Sequence, residues 1–416
     1  MDKSFHVGNR QKLYSTLEEG TLVFSFAGVA PHLTADVFYP YYANRNFVYL
    51  TGLSESSSGF IFMAQKAGGS IEETVFILPP DARAERWNGA RLKQDQVAEI
   101  SGVDTSKLLA EFETALHRAV NSGKYKYVAL DLQKLNPEVA DDAAHKFNHL
   151  LAKRYPWLQV INMHQQLRLQ RTYKQPCEIA ALRKSIDITG KGIAAMMHSV
   201  RPGMYEYELK AIYDKVLADH RATATSFPPI VSSGENNFCI HYYAYSGEIN
   251  DGDMILNDVG ALCDGMYNDC SRGWPVNGKF NERQRILYEC AYKTSEHMFS
   301  ILKPGMPMNE VDLTARKYCY ELLHQAGLVD SYEEVGKLIW HGGAHHVGYD
   351  VHDVVAMGLT LAPGMVFCVD VGIYCEDWGI GFRLEDNCLI TEDGCENLSA
   401  GIPRSIAEIE AAMAGK

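Results

Sequence analysis

The chain has little of what a membrane, nucleic-acid or disulfide-stabilised protein needs. No apolar run approaches the ~18 residues of a membrane-spanning helix. The N-terminal stretch carries Asp2, Glu18 and Glu19 without the apolar core of a secretory signal. Basic charge is scarce: 39 Lys and Arg stand against 52 Asp and Glu, a net charge of -13. With no long run of cations, a phosphate backbone finds no basic patch. No cysteine precedes Cys177, and none of the ten forms a Cys-x-x-Cys pair. The cysteines are expected to be small buried residues in a reducing compartment, with thiolate metal binding and cysteine catalysis as minor alternatives. These absences point to a cytoplasmic protein with no membrane or nucleic-acid partner.

What is present is an ordinary globular composition, 46% hydrophobic and 22% charged, over 416 residues. At roughly 150 residues per domain that length allows two or three domains. The first part reads as an α/β unit. Strands are predicted at 21–26, 47–51, 59–63, 74–78 and 127–132, with helices at 94–120 and 137–153. Acids and histidines do not converge there, so scaffold or oligomerisation is its expected role. A polar, basic stretch at 168–174 leads to Pro176, which suits the first turn of a helix, and Ile179, Leu182, Ile186, Ile193, Met197 and Val200 follow at helical spacing. This reading sets an N-terminal domain at 1–170 and a second domain at 171–416.

The second domain repeats itself. A helix, Arg201-Pro-Gly-Met204, another helix and a strand ending in Asp258-Val-Gly are echoed in order by a helix at 282–302, Lys303-Pro-Gly-Met306, another helix and a strand ending in Asp370-Val-Gly. Each half places an acid on an apolar strand and follows it with another, Asp269 after Asp258 and Glu385 after Asp370. A buried carboxylate must be paired, protonated or bound to a cation. If the four converge, a divalent metal is the natural neutraliser; structural ion pairs with Arg272 and Arg383 are the alternative. Four of the fifteen histidines fall between His341 and His352, beside glycines. That density is a functional signal, but it lacks the helical His-Glu-x-x-His pattern. One imidazole with several carboxylates makes an oxygen-rich site, suited to manganese or cobalt more than to thiolate-bound zinc. Two such metals would activate water and polarise a carbonyl, the logic of amide hydrolysis.

At these residues the chain resembles the pita-bread metallopeptidases, the family of methionine aminopeptidase, prolidase and aminopeptidase P. The likeness is carried by His241-Tyr242, Asn257-Asp258-Val-Gly260, Asp269, Val276-Asn-Gly-Lys-Phe280, the segment His341-Gly-x-x-His345-x-x-Gly348-x-Asp350-x-His352-Asp353, and Gly379-Ile-Gly-Phe-Arg383-Leu-Glu385-Asp386. The resemblance implies an α+β fold, with a pita-bread catalytic domain of duplicated halves behind a separate N-terminal α/β domain. It makes Asp258 a chelating ligand, Asp269 and Glu385 bridging ligands and His345 a ligand of the other metal; adjacent His346 is not at the ligand position. His241, His341 and His352 correspond to substrate-contacting and proton-shuttling histidines, and Arg383 to an arginine beside the bridging carboxylate. Where the family usually has Glu-Pro-Gly, this chain has Asp370-Val-Gly372. That position serves as metal ligand and acid/base, and here its arm is one methylene shorter.

The N-terminal domain resembles the extra domain of aminopeptidase P and prolidase, through Asn44-Arg-Asn-Phe-Val-Tyr-Leu-Thr-Gly52, matched to a strand segment, and Trp87-Asn-Gly89-Ala-Arg91. It implies that Trp87 lines substrate in a homodimer or homotetramer, with packing inside its own domain as the plainer alternative. The expected function is a metal-dependent Xaa-Pro peptidase using a metal-bridged hydroxide on peptides with proline in second position. Its cofactors would be two divalent ions, manganese first, with cobalt or zinc as alternatives. A dipeptide-restricted prolidase, a metal-free amidohydrolase of the creatinase kind and a non-catalytic peptide-binding relative are the rival readings.

Overall fold

The computed structural model describes residues 1–54 and 59–414, and the chain divides into two units, Met1–Gln170 and Arg171–Lys416. In the first unit six strands form one sheet, in the order Ser106–Leu108, Ser70–Ile77, Ile61–Ala67, Thr21–Phe26, Tyr127–Leu130 and Gln159–Asn162. Phe24 packs edge-on against Phe112 and Phe147, at ring separations of 5.9 and 4.9 Å, so helices seal one face of the sheet with aromatic contacts.

Several local expectations for this unit need correction. The segment read as a strand at 47–51, and matched to a family strand, is the helix Arg45–Thr51. Its composition is aromatic and β-branched, but its ends decide: Asn44 accepts from the Phe47 N–H, and Gly52 takes the left-handed conformation that closes a helix. The expected helix at 94–120 is broken. Gly102, at φ 69°, ends Gln94–Ser101, and a short strand precedes Phe112–Asn121. The helix expected from 137 starts only at Ala143, where Asp142 caps it. In the polar stretch at 168–174 the helix His164–Thr172 covers the start, and Arg171 and Lys174, which belong to the second unit, are buried.

The second unit is built from two similar halves. The first contains α1 (Pro176–Ser199), α2 (Glu206–Asp219), β1 (Ile230–Ser233), β2 (Met254–Val259) and β3 (Cys270–Pro275). The second contains α3 (Glu282–Ile301), α4 (Glu310–Gln325), β4 (Val366–Cys375), β5 (Ile380–Ile390) and β6 (Cys395–Asn397); α5 (Ile406–Met413) closes the chain. The echoed Pro-Gly turns behave alike. Gly203 and Gly305 have φ of 86° and 93°, a conformation glycine adopts without strain. Gly203 donates to Ile249 and Ile249 returns a bond to Met204, while Gly305 and Leu361 do the same with Met306. Within the first half, a Cβ on Gly192 would stand 2.4 Å from the Tyr213 ring, so glycine is what lets α1 and α2 approach. β2 pairs with β1 and β3, and β4 with β5, all antiparallel. Their apolar faces share one core, in which Trp274, Ile255 and Phe382 are fully buried.

Candidate metal centre and active site

The two strand pairs deliver the acids. Asp370 and Glu385 are directly opposite in the β4–β5 ladder, so they project from the same face, a pairing that like charge disfavours. On β2, Asp258 is opposite Ser271 of β3, and Ser271 Oγ donates to Glu385 Oε2 at 2.8 Å. Asp269 precedes β3, its carbonyl held by Asn387 Nδ2 at 2.7 Å. One ligand oxygen from each of Asp258, Asp269 and Glu385 lies within 4.8 Å of the others.

Few positive charges answer them. Arg383 Nη2 donates to Asp258 Oδ2 at 2.7 Å, whereas Arg272 pairs with Asp386, also at 2.7 Å, and so does not neutralise the cluster. Burial and the charges of Asp258 and Glu385 push the Asp269 carboxyl well above the usual carboxylate range; burial and Glu385 do the same to Asp370. Burial also opposes ionisation of Glu385, but bonds from His345, Cys368 and Ser271 prevail and hold it at about 2. Buried oxygens of Asp258, Asp269 and Asp370 lack hydrogen-bond partners among the described residues. Acids crowded beyond their counter-charges, with lone pairs unspent, fit divalent cations.

The histidine segment is clamped from two sides. Asp312 of α4 accepts from the Gly343 and Ala344 N–H groups at 3.0 and 2.9 Å. Beyond it, Lys174 donates to Asp353 at 2.7 Å and Arg171 to Asp350 at 2.8 Å, while Arg171 also pairs with Asp353. Between these anchors His345 Nε2 lies 3.3 Å from Glu385 and 3.5 Å from Asp269. Its Nδ1 lies 3.1 Å from the Val351 carbonyl. A carbonyl only accepts, so Nδ1 carries the proton and Nε2 is directed to the acids, as a metal-ligating imidazole requires. His352 lies 4.2 Å from His345, ring to ring, with one side of the residue open to solvent and the other packed into the site. Burial lowers the pKa of His352 and of His341. Tyr374 OH joins His341 Nε2 to Arg383, at 2.9 Å on each side. His346 is buried against Phe367.

The structure therefore brings together Asp258, Asp269, His345, Asp370 and Glu385, with His341, His352 and Arg383 around them. His241 is exposed in the loop after β1, stacked on Tyr243. Trp87, in the other unit, is 77% exposed, so packing inside its own unit does not hold it. Reading the sequence missed Ser271, Tyr374, Asp312 and the Arg171–Lys174–Asp353 cluster. It also missed Cys368, whose ligand atom lies within 4.8 Å of those of His345 and Glu385. The signal was there: Cys368 is two residues before Asp370 on one strand, hence on its face.

Residues 180–392 match the model of metallopeptidase family M24, and residues 6–128 that of the aminopeptidase P N-terminal domain. The chain is 32% identical to the Xaa-Pro aminopeptidase of Escherichia coli (strain K12), over 97% of this chain and 96% of that one. It is 26% identical to Xaa-Pro aminopeptidase 3 of Homo sapiens, over 91% and 78%. Among solved structures, a Bacillus anthracis chain provisionally assigned as an aminopeptidase P superposes with a TM-score of 0.96 at 34% identity, covering 99% and 98% of the two chains. Zinc-substituted E. coli aminopeptidase P in complex with product gives 0.90 at 30%, with the same coverage. With duplicated halves, converging acids and these matches over nearly its whole length, the chain belongs to metallopeptidase family M24, with the N-terminal domain of aminopeptidase P.

Proposed function

We propose that the protein is a metal-dependent Xaa-Pro aminopeptidase, releasing the N-terminal residue of peptides with proline in second position. The observation that carries this is the buried cluster of Asp258, Asp269 and Glu385, with Asp370 and His345 against it. Two bacterial relatives matched over 97% of the chain are named Xaa-Pro aminopeptidase, which favours that activity over a dipeptide-restricted prolidase and over a non-catalytic relative. Asp258, Asp269, Glu385, Asp370 and His345 would hold two divalent cations, which supply Lewis-acid activation of water and of the scissile carbonyl.

The side chains do the rest. Arg383 fixes Asp258, and Ser271 fixes Glu385. Asp370 Oδ1, buried and without a hydrogen-bond partner among the described residues, takes the proton released by the attacking water. His352, uncharged because burial lowers its pKa, donates to the carbonyl oxygen as charge develops there. His241 carries a proton to the departing proline nitrogen, and His341, held by Tyr374, lines the cleft. The reading extends to manganese as the working metal, since oxygen donors dominate, to a cytoplasmic location, and to a homodimer or homotetramer in which the N-terminal domain builds the interface and Trp87 reaches substrate.

Metal-stripped protein incubated with manganese is tested by mass spectrometry on Xaa-Pro dipeptides, longer Xaa-Pro peptides and matched Xaa-Ala controls. Metal-dependent loss of one residue from the longer Xaa-Pro peptides is expected. Turnover of dipeptides alone would replace the reading with prolidase, and no turnover of any peptide would remove it.

A further inference from the structure

The metal cluster contains a sulfur atom that its hard, oxygen-rich character does not require. β4 alternates its side chains, so Cys368 and Asp370 share a face, and Glu385 stands opposite Asp370 on β5. The placement of Cys368 is anchored: its N–H donates to the His345 carbonyl at 2.8 Å, tying it to the histidine loop. Cys368 is fully buried. Sulfur of Cys368, a ring nitrogen of His345 and an oxygen of Glu385 lie within 4.8 Å of one another. Asp269, 5% exposed and with one carboxylate oxygen unpartnered among the described residues, aims into the same space, 3.5 Å from His345.

We propose that Cys368, His345 and Glu385 form a sulfur-containing site for a thiophilic divalent cation, zinc or cadmium, within the metal centre. This rests on the metallopeptidase reading of that centre and gives its second position a soft donor. A tetrahedral zinc with ~2.3 Å to sulfur and ~2.0 Å to nitrogen sets those atoms ~3.5 Å apart. The donors need to close by on the order of 1 Å, which a small turn about the cysteine χ1 provides. On coordination the S–H bond is replaced by a sulfur–metal bond and one proton leaves to solvent, because a bound divalent charge stabilises the thiolate. Soft ligands select soft cations, so zinc gains from Cys368 and manganese does not.

The test titrates metal-free, full-length protein with Co²⁺ alone. Wild type is expected to develop a near-ultraviolet sulfur-to-cobalt charge-transfer band that saturates with occupancy, and Cys368→Ser and Cys368→Ala to bind cobalt without it. After dialysis against equal zinc and manganese, the zinc-to-manganese ratio bound is expected to fall about 10-fold or more in Cys368→Ser. Full cobalt uptake by wild type without the band would overturn the proposal. So would a band that persists in both variants, since it would come from another cysteine, such as exposed Cys177 or Cys239. Should neither variant fold, X-ray absorption of zinc-loaded wild type decides alone: one sulfur neighbour supports the site and none refutes it. Manganese-driven cleavage of an Xaa-Pro peptide is measured on the same wild-type protein. Cleavage without the band removes only the sulfur ligand, and the band without cleavage removes only the peptidase reading.

Discussion

Replacing Gly343 by alanine tests how this chain accommodates an aspartate where its family usually places a glutamate. A Cβ built on Gly343 would stand 2.2 Å from Asp370 Cβ and 2.8 Å from both Asp370 Cγ and Oδ2. Carbon contacts are favourable at about 3.5–4.0 Å, so the deficit exceeds ~1 Å and something must move. The loop is poorly placed to yield, because Asp312 holds the Gly343 and Ala344 N–H groups and the Cys368 N–H holds the carbonyl of His345. Asp370 is equally fixed, in the middle of the β4–β5 ladder. Overpacking of this kind costs about 1–3 kcal/mol, and at roughly 2–4 °C per kcal/mol for a unit of this size the melting temperature should drop by about 2–12 °C. Activity should suffer more, since a reacting group displaced by ~1 Å loses about 100-fold in rate. The assay is manganese-dependent turnover of an Xaa-Pro peptide together with metal content per chain. Gly343→Ala is expected to keep its fold, lose about 100-fold in kcat and bind the second metal about 10–100-fold more weakly. Gly342→Ala is the comparison: its Cβ would meet Asp312 Oδ2 at 2.6 Å and so press on the anchor of the loop rather than on Asp370. If Gly343→Ala retains wild-type turnover and two tightly bound metals, the close seat of the loop on Asp370 has no part in the site.

Asp258→Asn and His345→Ala should each abolish metal-dependent turnover with the circular dichroism spectrum unchanged; full activity in both would remove the centre as described. Asp353→Ala leaves buried Arg171 and Lys174 facing a lost partner, so urea unfolding should report a loss of about 3–5 kcal/mol; a loss under about 1 kcal/mol would show that the cluster does not hold the loop. In metal-free protein, Asp269 and Asp370 hold protons that the unfolded chain releases above the ordinary carboxylate value of 3.8. The folded state then binds more protons, and its stability falls as pH rises from there toward the raised values. Manganese displaces those protons, so the rise in melting temperature on adding manganese should be larger at about pH 8 than at about pH 5. A rise independent of pH would contradict the raised carboxyls. Glu385 acts in the opposite sense, with stability present above its unfolded value of 4.5 and lost as pH falls through about 2.

How much was legible in advance depended on whether a signal was periodic or local. The duplication could be read because Pro-Gly turns and Asp-Val-Gly strands keep their order, and the converging acids could be read because carboxylates on apolar strands need a reason to be there. The helix Arg45–Thr51 could not be read from residue preference, since Phe47, Val48 and Tyr49 favour strands and only Asn44 and Gly52 mark its ends. Arg171 and Lys174 read only as part of a polar, basic stretch because their partners, Asp350 and Asp353, lie far along the chain. Ser271 and Tyr374 were invisible for a related reason. Their importance comes from cross-strand register and side-chain reach, which no local window contains.

The echo between the halves would give a bound cation a second significance. Asp258 and Asp269 come from the first copy, while His345, Asp370 and Glu385 come from the second. Neither copy alone owns a full set of donors, so a cation held by all of them would act as a rivet through the seam between two repeats. Severing the backbone in the turn between β3 and α3 would then leave two fragments whose reassembly consumes metal, and metal uptake would count the pairs that had come together.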